Sequence, residues 1–257
     1  MIIQITNKCH MGCPHCMQDS NARGKHMTRE TIAKVIMFCL ESRPQVVNIS
    51  GGEPTEHPEW DYFVKSVWAM VPSAKVITVL TNGAWIEDRE ERIKMAKLVR
   101  MGKGRIKVQV YSHPKYYKNH EWTVEHEAQF RSIGCTPDFN SPIFMQDLGR
   151  ARKNCQEEVS KSTFVPSCIN SHLIARQAHS MQQFFDMCIQ AGKFCRPLID
   201  TDGGIHMSES WRCQAVAHVN DGADLAFQKM QASRPCGGCK LYKNFAEKFP
   251  KELELLK

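Results

Sequence analysis

Two hydrophobic periods alternate along the first part of the chain. Ile2 to Thr6 is a short apolar, β-branched run and predicts a strand. Thr28 offers a cap hydroxyl ahead of Ile32, Val35, Ile36, Cys39 and Leu40, which recur at helical spacing. Gln45 to Ser50 predicts a second strand, closed by Gly51-Gly52. A helix follows from about Pro58 to Met70, with Phe63, Val67 and Met70 on one side. Lys75 to Leu80 predicts a third strand ended by Thr81-Asn82-Gly83, Glu87 to Met101 a third helix, and Ile106 to Tyr111 a fourth strand. A repeated strand–loop–helix unit argues for parallel strands joined by right-handed crossovers.

After Ser112 the regularity fades. Residues 112–140 are rich in aromatic, His and Pro residues, with a short helix expected over Val124 to Ile133 and a fifth strand over Pro142 to Gln146. Residues 153–167 are polar and linker-like. From Cys168 onward the chain is rich in cysteine, with short strands, a helix near Ser180 to Gln190 and a solvated amphipathic helix over Phe245 to Leu256. A boundary near residue 165 divides the chain into 1–165 and 166–257.

Composition narrows the class. A chain of 257 residues with 42% apolar and 24% charged residues can bury a core, which excludes a disordered or fibrous protein. The best apolar run, Ile32 to Leu40, is broken by Lys34, so no membrane span is expected; nor is a signal peptide, and the expected location is the cytoplasm. Twelve cysteines in a reducing compartment read as metal ligands or redox groups rather than six disulfides. The net charge of +7 leaves a nucleic-acid surface open.

Cys9, Cys13 and Cys16, spaced C-x3-C-x2-C, follow the first strand. Three thiolates in one tight loop suit three irons of a [4Fe–4S] cubane and leave the fourth iron open. Zinc, with His10 or His15 as fourth ligand, is the alternative. Together with Gly51-Gly52-Glu53-Pro54 after the second strand, this loop resembles the radical S-adenosylmethionine (SAM) superfamily. The resemblance implies a partial (β/α) barrel of about five to six parallel strands. It also implies SAM on the open iron, reductive cleavage to a 5′-deoxyadenosyl radical, and a flavodoxin- or ferredoxin-type electron donor. Barrel enzymes gather their chemistry at the C-terminal ends of the strands, where both motifs fall. Gly51 and Gly52 would let the backbone approach SAM, and Glu53 would accept from its ammonium group. Thr81-Asn82-Gly83, Ser112 at the ribose position, and Gly149-Arg150-Ala151 are similar to further family segments. His15 stands where the family usually has an aromatic ring.

A second set comprises Cys195, Cys213, Cys236 and Cys239. Cys195 and Cys213 flank an expected hairpin around Asp200 to His206, and Cys236-Gly-Gly-Cys239 is a tight pair; four thiolates saturate one cubane or one zinc. Cys168 competes with Cys195 for one position. The layout resembles the "twitch" module, a short SPASM-like α+β iron–sulfur domain, and is similar to the aminocyclitol dehydrogenases of aminoglycoside biosynthesis. That implies an auxiliary [4Fe–4S] cluster acting in electron transfer, hence oxidation of a small-molecule substrate. A peptide-modifying enzyme is the alternative within the class. A zinc-stabilised nucleic-acid-binding module is the alternative outside it. With two anionic clusters bound, the charge falls to about +4 and no polyanionic partner is needed. Arg150, Arg152, Asp202, His206 and Glu209 are candidates for the substrate base. His113, His120, Glu121 and His126 match no metal spacing. Cys39 and Cys188 read as core, whereas Cys135 and Cys155 have no assignment.

Overall fold

Alternating apolar residues build a sheet with one face under helices. In the computed structural model, residues 1–113, 115–117, 122–139, 148–157, 167–192, 196–208, 211, 213–237 and 240–251 are described. The strands are β1 (Ile2–Gln4), β2 (Val46–Ser50), β3 (Val76–Thr81), β4 (Ile106–Tyr111), β5 (Thr136–Asp138), β6 (Leu198–Ile199), β7 (Gly204–His206) and β8 (Ala215–His218). They form one sheet in the order β5-β4-β3-β2-β1-β6-β7-β8. The first six run parallel, and β7 and β8 continue antiparallel. This is the parallel α/β arrangement expected of the partial barrel.

Helices α1 (Arg29–Ser42), α2 (Trp60–Met70), α3 (Arg89–Gly102) and α4 (Val124–Ile133) cover the apolar face. Ile3, Val47, Ile49, Ile77, Val79, Val108 and Val110 enter one core with Phe38, Phe63, Leu98 and Phe130. The registers Ile2↔Asn48↔Thr78 and Gln4↔Ser50 place Gln4, Asn48, Ser50 and Thr78 together on the opposite, polar face. Thr28 caps α1 by accepting from the Thr31 N–H, as its position predicts, and Asp88 caps α3.

Several boundaries differ from expectation. The fifth parallel strand is Thr136–Asp138, and the segment Pro142 to Gln146 lies outside the described residues. Beyond α5 (Ala151–Asn154), the polar-looking stretch gives way to α6 (Ser167–Gln177), then α7 (Met181–Gln190), α8 (Gly222–Ala232) and α9 (Lys240–Lys248). The expected hairpin is β6–β7. Because β6 pairs with β1, residues on both sides of position 165 share a single sheet.

Candidate functional site

Parallel strands bring their C-terminal ends to one edge, and the motifs collect there. β1 runs out into the cysteine loop, which returns through two isolated bridges, Thr6 to His26 and Lys8 to Asn21. The Cys9 N–H donates to the Asn21 carbonyl at 3.0 Å, and the Cys16 N–H to the Cys13 carbonyl at 3.3 Å. β2 ends against the start of this loop: the Gly52 N–H donates to Thr6 O (2.7 Å) and the Glu53 N–H to Lys8 O (2.9 Å). A Cβ on Gly52 would stand 2.2 Å from Lys8 O, and one on Gly51 2.6 Å from Thr6 O. Beyond any approach to a ligand, both glycines are required by backbone-to-backbone contact.

Glu53 is 1% exposed and is the junction of three elements. Its Oε1 accepts from the Thr55 N–H (3.3 Å) and from the hydroxyls of Thr55 (2.8 Å) and Thr81 (2.7 Å); Oε2 accepts from the Asn82 N–H (2.8 Å). Burial pushes the carboxyl pKa up, opposed by these donors. Oε2 retains capacity for one further donor. Thr81-Asn82-Gly83 is thus joined to Gly51-Gly52-Glu53-Pro54, and Asn82 reaches on to the cysteines, its Nδ2 lying 3.9 Å from Cys9 Sγ. Pro54 opens the short 3-10 turn Pro54–Glu56, whose Glu56 Oε1 accepts from the His10 N–H (3.0 Å) and contacts His10 Nδ1 (2.6 Å).

Cys9, Cys13 and Cys16 are free thiols. Burial pushes Cys9 up to about 12 and Cys13 up to about 11, so each gives up its proton only to a strong positive partner such as a metal. Of the two histidines that could complete a four-ligand zinc set, one is engaged by a carboxylate, and the other is packed on aromatic rings with its Nδ1 buried and lacking a hydrogen-bond partner. His10 is held by Glu56, while the His15 ring packs on Tyr116 and Tyr117 at centroid distances of 5.3 and 4.8 Å. Burial lowers His15 to about 4, so at neutral pH it is an uncharged ring. Among the described residues no three His, Cys, Asp or Glu side chains close on a single ion. Three thiols of one loop suit a cubane, in which each thiolate takes a separate iron.

Sequence reasoning missed how the loop is held from outside. Gly149, at φ +53°, lies where a Cβ would meet Cys16 O at 2.6 Å and Met17 O at 2.5 Å. The Arg150 N–H donates to Cys16 O (2.9 Å), its Nε to Cys13 O (2.9 Å), and its Nη1 to Ser20 O (2.8 Å) and Asp19 (3.2 Å). Asn154 Nδ2 reaches Pro14 O at 3.2 Å, and Trp211 Nε1 reaches Gln18 O at 3.1 Å. Arg150 is thus a positioning residue for the cysteine loop rather than a group directed at substrate. Arg152 is exposed on α5. Ser112 is buried after β4, its N–H donating to Asp138 O at 3.2 Å. On the polar sheet face Gln4 is also 1% exposed, and neither of its amide atoms has a hydrogen-bond partner.

In the second set, Cys195 and Cys239 lie outside the described residues, while Cys213 is half-buried and Cys236 exposed. His206, two strands from β1, bonds the Cys213 carbonyl through Nδ1 and Asp200 Oδ2 through Nε2, both at 2.8 Å. Burial pushes Asp200 up. Its bonds from His206 and from the Asp202 and Gly204 N–H groups outweigh burial and hold it below the usual carboxylate value. Asp202 pairs with Lys25, and Glu209 lies outside the described residues. His126 is used in the α4 cap and contacts Glu87 at 3.0 Å, whereas His120 and Glu121 also lie outside. Cys39 and Cys188 are core, as expected, and Cys135 and Cys155 are buried too. No helix among the described residues is long and apolar enough to cross a membrane.

A three-cysteine loop and a Gly-Gly-Glu-Pro turn stand at one edge of a parallel sheet, and residues 3–127 match the Radical SAM superfamily. The particular proteins it is similar to are diverse. A probable GTP 3′,8-cyclase of Methanocella arvoryzae is 27% identical over 100 residues, covering 38% of this chain and 31% of that protein. One from Methanococcus maripaludis is 32% identical over 104 residues, covering 38% and 33%. The matched stretch thus spans about a third of these relatives. Among solved structures, native anSMEcpe with bound AdoMet and a Cp18Cys peptide aligns with TM-score 0.51 at 10% identity, covering 100% of this chain and 87% of that one. Streptococcus suis SuiB bound to precursor peptide SuiA aligns with TM-score 0.50 at 12% identity, covering 94% and 69%. At these identities the structures share the fold.

Proposed function

We propose that the protein is a radical SAM oxidoreductase that removes a hydrogen atom from a bound substrate and oxidises it. The observation that supports this reading is the second cysteine set, of which Cys213 follows β7 two residues after Trp211, whose indole N–H reaches the Gln18 carbonyl of the first cysteine loop. In the reading, Cys9, Cys13 and Cys16 hold the SAM-binding [4Fe–4S] cluster. Gly51, Gly52, Glu53 and Pro54, with Thr81 and Asn82, shape the SAM site, and Ser112 meets the ribose. When bound, SAM and its reduced cluster supply a 5′-deoxyadenosyl radical. Glu53 Oε2 would accept from the SAM ammonium group, and the Asn82 amide donates toward Cys9 Sγ. Gln4 presents a paired donor and acceptor to a polar substrate from the barrel-side face. Converting a CH–OH unit to C=O removes a hydrogen atom, an electron and a proton. Cys213, Cys236 and Cys239, with Cys195 or Cys168, would hold the auxiliary cluster that accepts the electron. The first electron comes from a flavodoxin- or ferredoxin-type donor in a reducing compartment.

A peptide substrate is the second reading, favoured by full-length alignment with a peptide-bound radical SAM structure. The superfamily match over residues 3–127 weighs against the zinc-stabilised nucleic-acid module. The test is anaerobic reconstitution with iron and sulfide, then reduction with SAM and trial substrates: aminocyclitols, cysteine-containing peptides and GTP. Expected are about eight irons per chain, 5′-deoxyadenosine, and a substrate product lighter by two hydrogens. Absence of 5′-deoxyadenosine defeats the class; a redox-neutral product defeats the oxidation.

A further inference from the structure

A row of unpaired cations runs along the outside of the helical layer. Arg89, Arg92, Lys97 and Arg100 fall at helical spacing on one side of α3, and at 1.5 Å per residue the row is about 16 Å long. With α4 they wall a groove of about 540 Å³. Its floor is apolar, formed by Ile93, which is 45% exposed, and the half-buried Ile133. None of the four cations has an ion pair or a side-chain hydrogen bond among the described residues. Nearby carboxylates are committed to other partners: Glu91 bonds Lys94 and the Trp60 indole, and Glu127 bonds Arg131. Across the groove α4 presents the neutral side chains of Gln129 and Ser132.

We infer that this groove is a docking surface for an acidic amphipathic helix of a partner protein. Like charges one turn apart, as in Arg89 with Arg92 and Lys97 with Arg100, destabilise a helix, and an anionic occupant removes that repulsion. Guanidinium groups take carboxylates in bidentate pairs, and three of the four cations are arginines. The apolar floor then selects among anions. A free phosphate would leave Ile93 and Ile133 uncovered, and the row is longer than one such ion. A nucleic-acid strand would find no aromatic ring in the lining on which to stack a base. A helix with carboxylates along one side and leucine-like residues along the other meets both the cations and the floor, lying between α3 and α4. The groove is on the helix-covered side of the sheet, whereas Gln4 and the polar strand residues are on the other, so this surface is separate from the site proposed above.

The test is fluorescence anisotropy with the full chain and a labelled peptide of about 14 residues, Leu at every third or fourth position and Glu at the others. Its counterparts are the same peptide with Gln for Glu and a labelled oligothymidylate. Expected is saturable binding of the Glu peptide, at least about tenfold tighter than the Gln peptide and weakening with added salt. Arg89→Gln, Arg92→Gln, Lys97→Gln and Arg100→Gln together should weaken it about tenfold, as the loss of four exposed charge pairs implies. Arg43→Gln, Lys75→Gln, Lys243→Gln and Lys251→Gln together remove the same charge from exposed positions elsewhere and should leave the affinity within about twofold. Equal losses in the two proteins, equal binding of the two peptides, or no binding of the Glu peptide overturns the proposal. So does binding of oligothymidylate in place of the peptide, which would make the face a nucleic-acid surface. Ile93→Ser should weaken the Glu peptide as well; an unchanged affinity overturns the groove as the seat of the helix. Gln keeps nearly the helix propensity of Arg and Lys. If circular dichroism still shows the fourfold variant of the row unfolded, Arg92→Gln with Lys97→Gln decides: an affinity equal to that of the unsubstituted protein overturns the docking surface.

Discussion

The two cysteine regions are built in opposite ways. Cys9, Cys13 and Cys16 occupy eight consecutive positions of one loop, whose backbone is bonded to itself, to β2 and to Gly149-Arg150. Cys168, Cys213 and Cys236 come from a helix, a post-strand turn and an inter-helix segment, and only the completed fold brings them to one cavity. In the first region sequence spacing sets the geometry and the rest of the molecule braces it. In the second, spacing carries little, because the distances are set by how α6 packs on α7 and α8. The lesson is that a compact motif names its site directly, whereas a dispersed one must be read from packing.

The largest effects should separate the two regions. Cys13→Ala should abolish SAM cleavage, while Cys236→Ala should lose about four irons yet still form 5′-deoxyadenosine; equal loss of cleavage in both would erase the distinction. Next, Gly52→Ala forces a methyl into Lys8 O and should cost about 1–3 kcal/mol in a denaturant titration, with weakened iron uptake. Unchanged stability would show that the β2 end is not braced against the loop. Arg150→Ala removes the guanidinium bonds to two loop carbonyls and Asp19 and should cost about 2 kcal/mol. It should shift the potential of the SAM-site cluster and leave that of the auxiliary site alone, as spectroelectrochemistry would show.

Smaller effects sharpen the picture. Gln4→Leu replaces a buried, unpartnered amide and should stabilise the substrate-free protein by about 1 kcal/mol while weakening substrate binding. A calorimetric melt with a KM measurement would show whether the two changes run in opposite directions. His15→Phe should keep cluster and activity, since the native ring is already uncharged. The folded-state pKa of His15 is lowered from 6.5 to about 4, so its share of stability is present above 6.5 and is lost as pH falls toward 4. The Phe variant should therefore lose less stability across that window in pH-dependent unfolding.

What the sequence made legible follows the same division. β4 was readable as Ile106 to Tyr111 and α4 as Val124 to Ile133 because their periods are unbroken, and the Thr28 cap follows from its place before an apolar face. β5 was hidden by its three-residue length and by Pro137. α8 escaped because its core contacts rest largely on Ala223, Ala226, Phe227 and Met230, a weak stripe among polar residues. At the site, the cysteines, Glu53 and Asn82 stood out through their motifs. The clamp by Arg150 and the reach of Trp211 to Gln18 did not, since nothing local marks a side chain that serves a loop more than a hundred positions away.

The pairing of β6 along β1 makes the ladder continuous from β5 to β8. Energetically, the two cysteine regions then belong to one cooperative unit rather than two beads on a string. A metal bound at either set should therefore raise the melting temperature of the entire chain in a single transition, and binding at one set would be felt at the other.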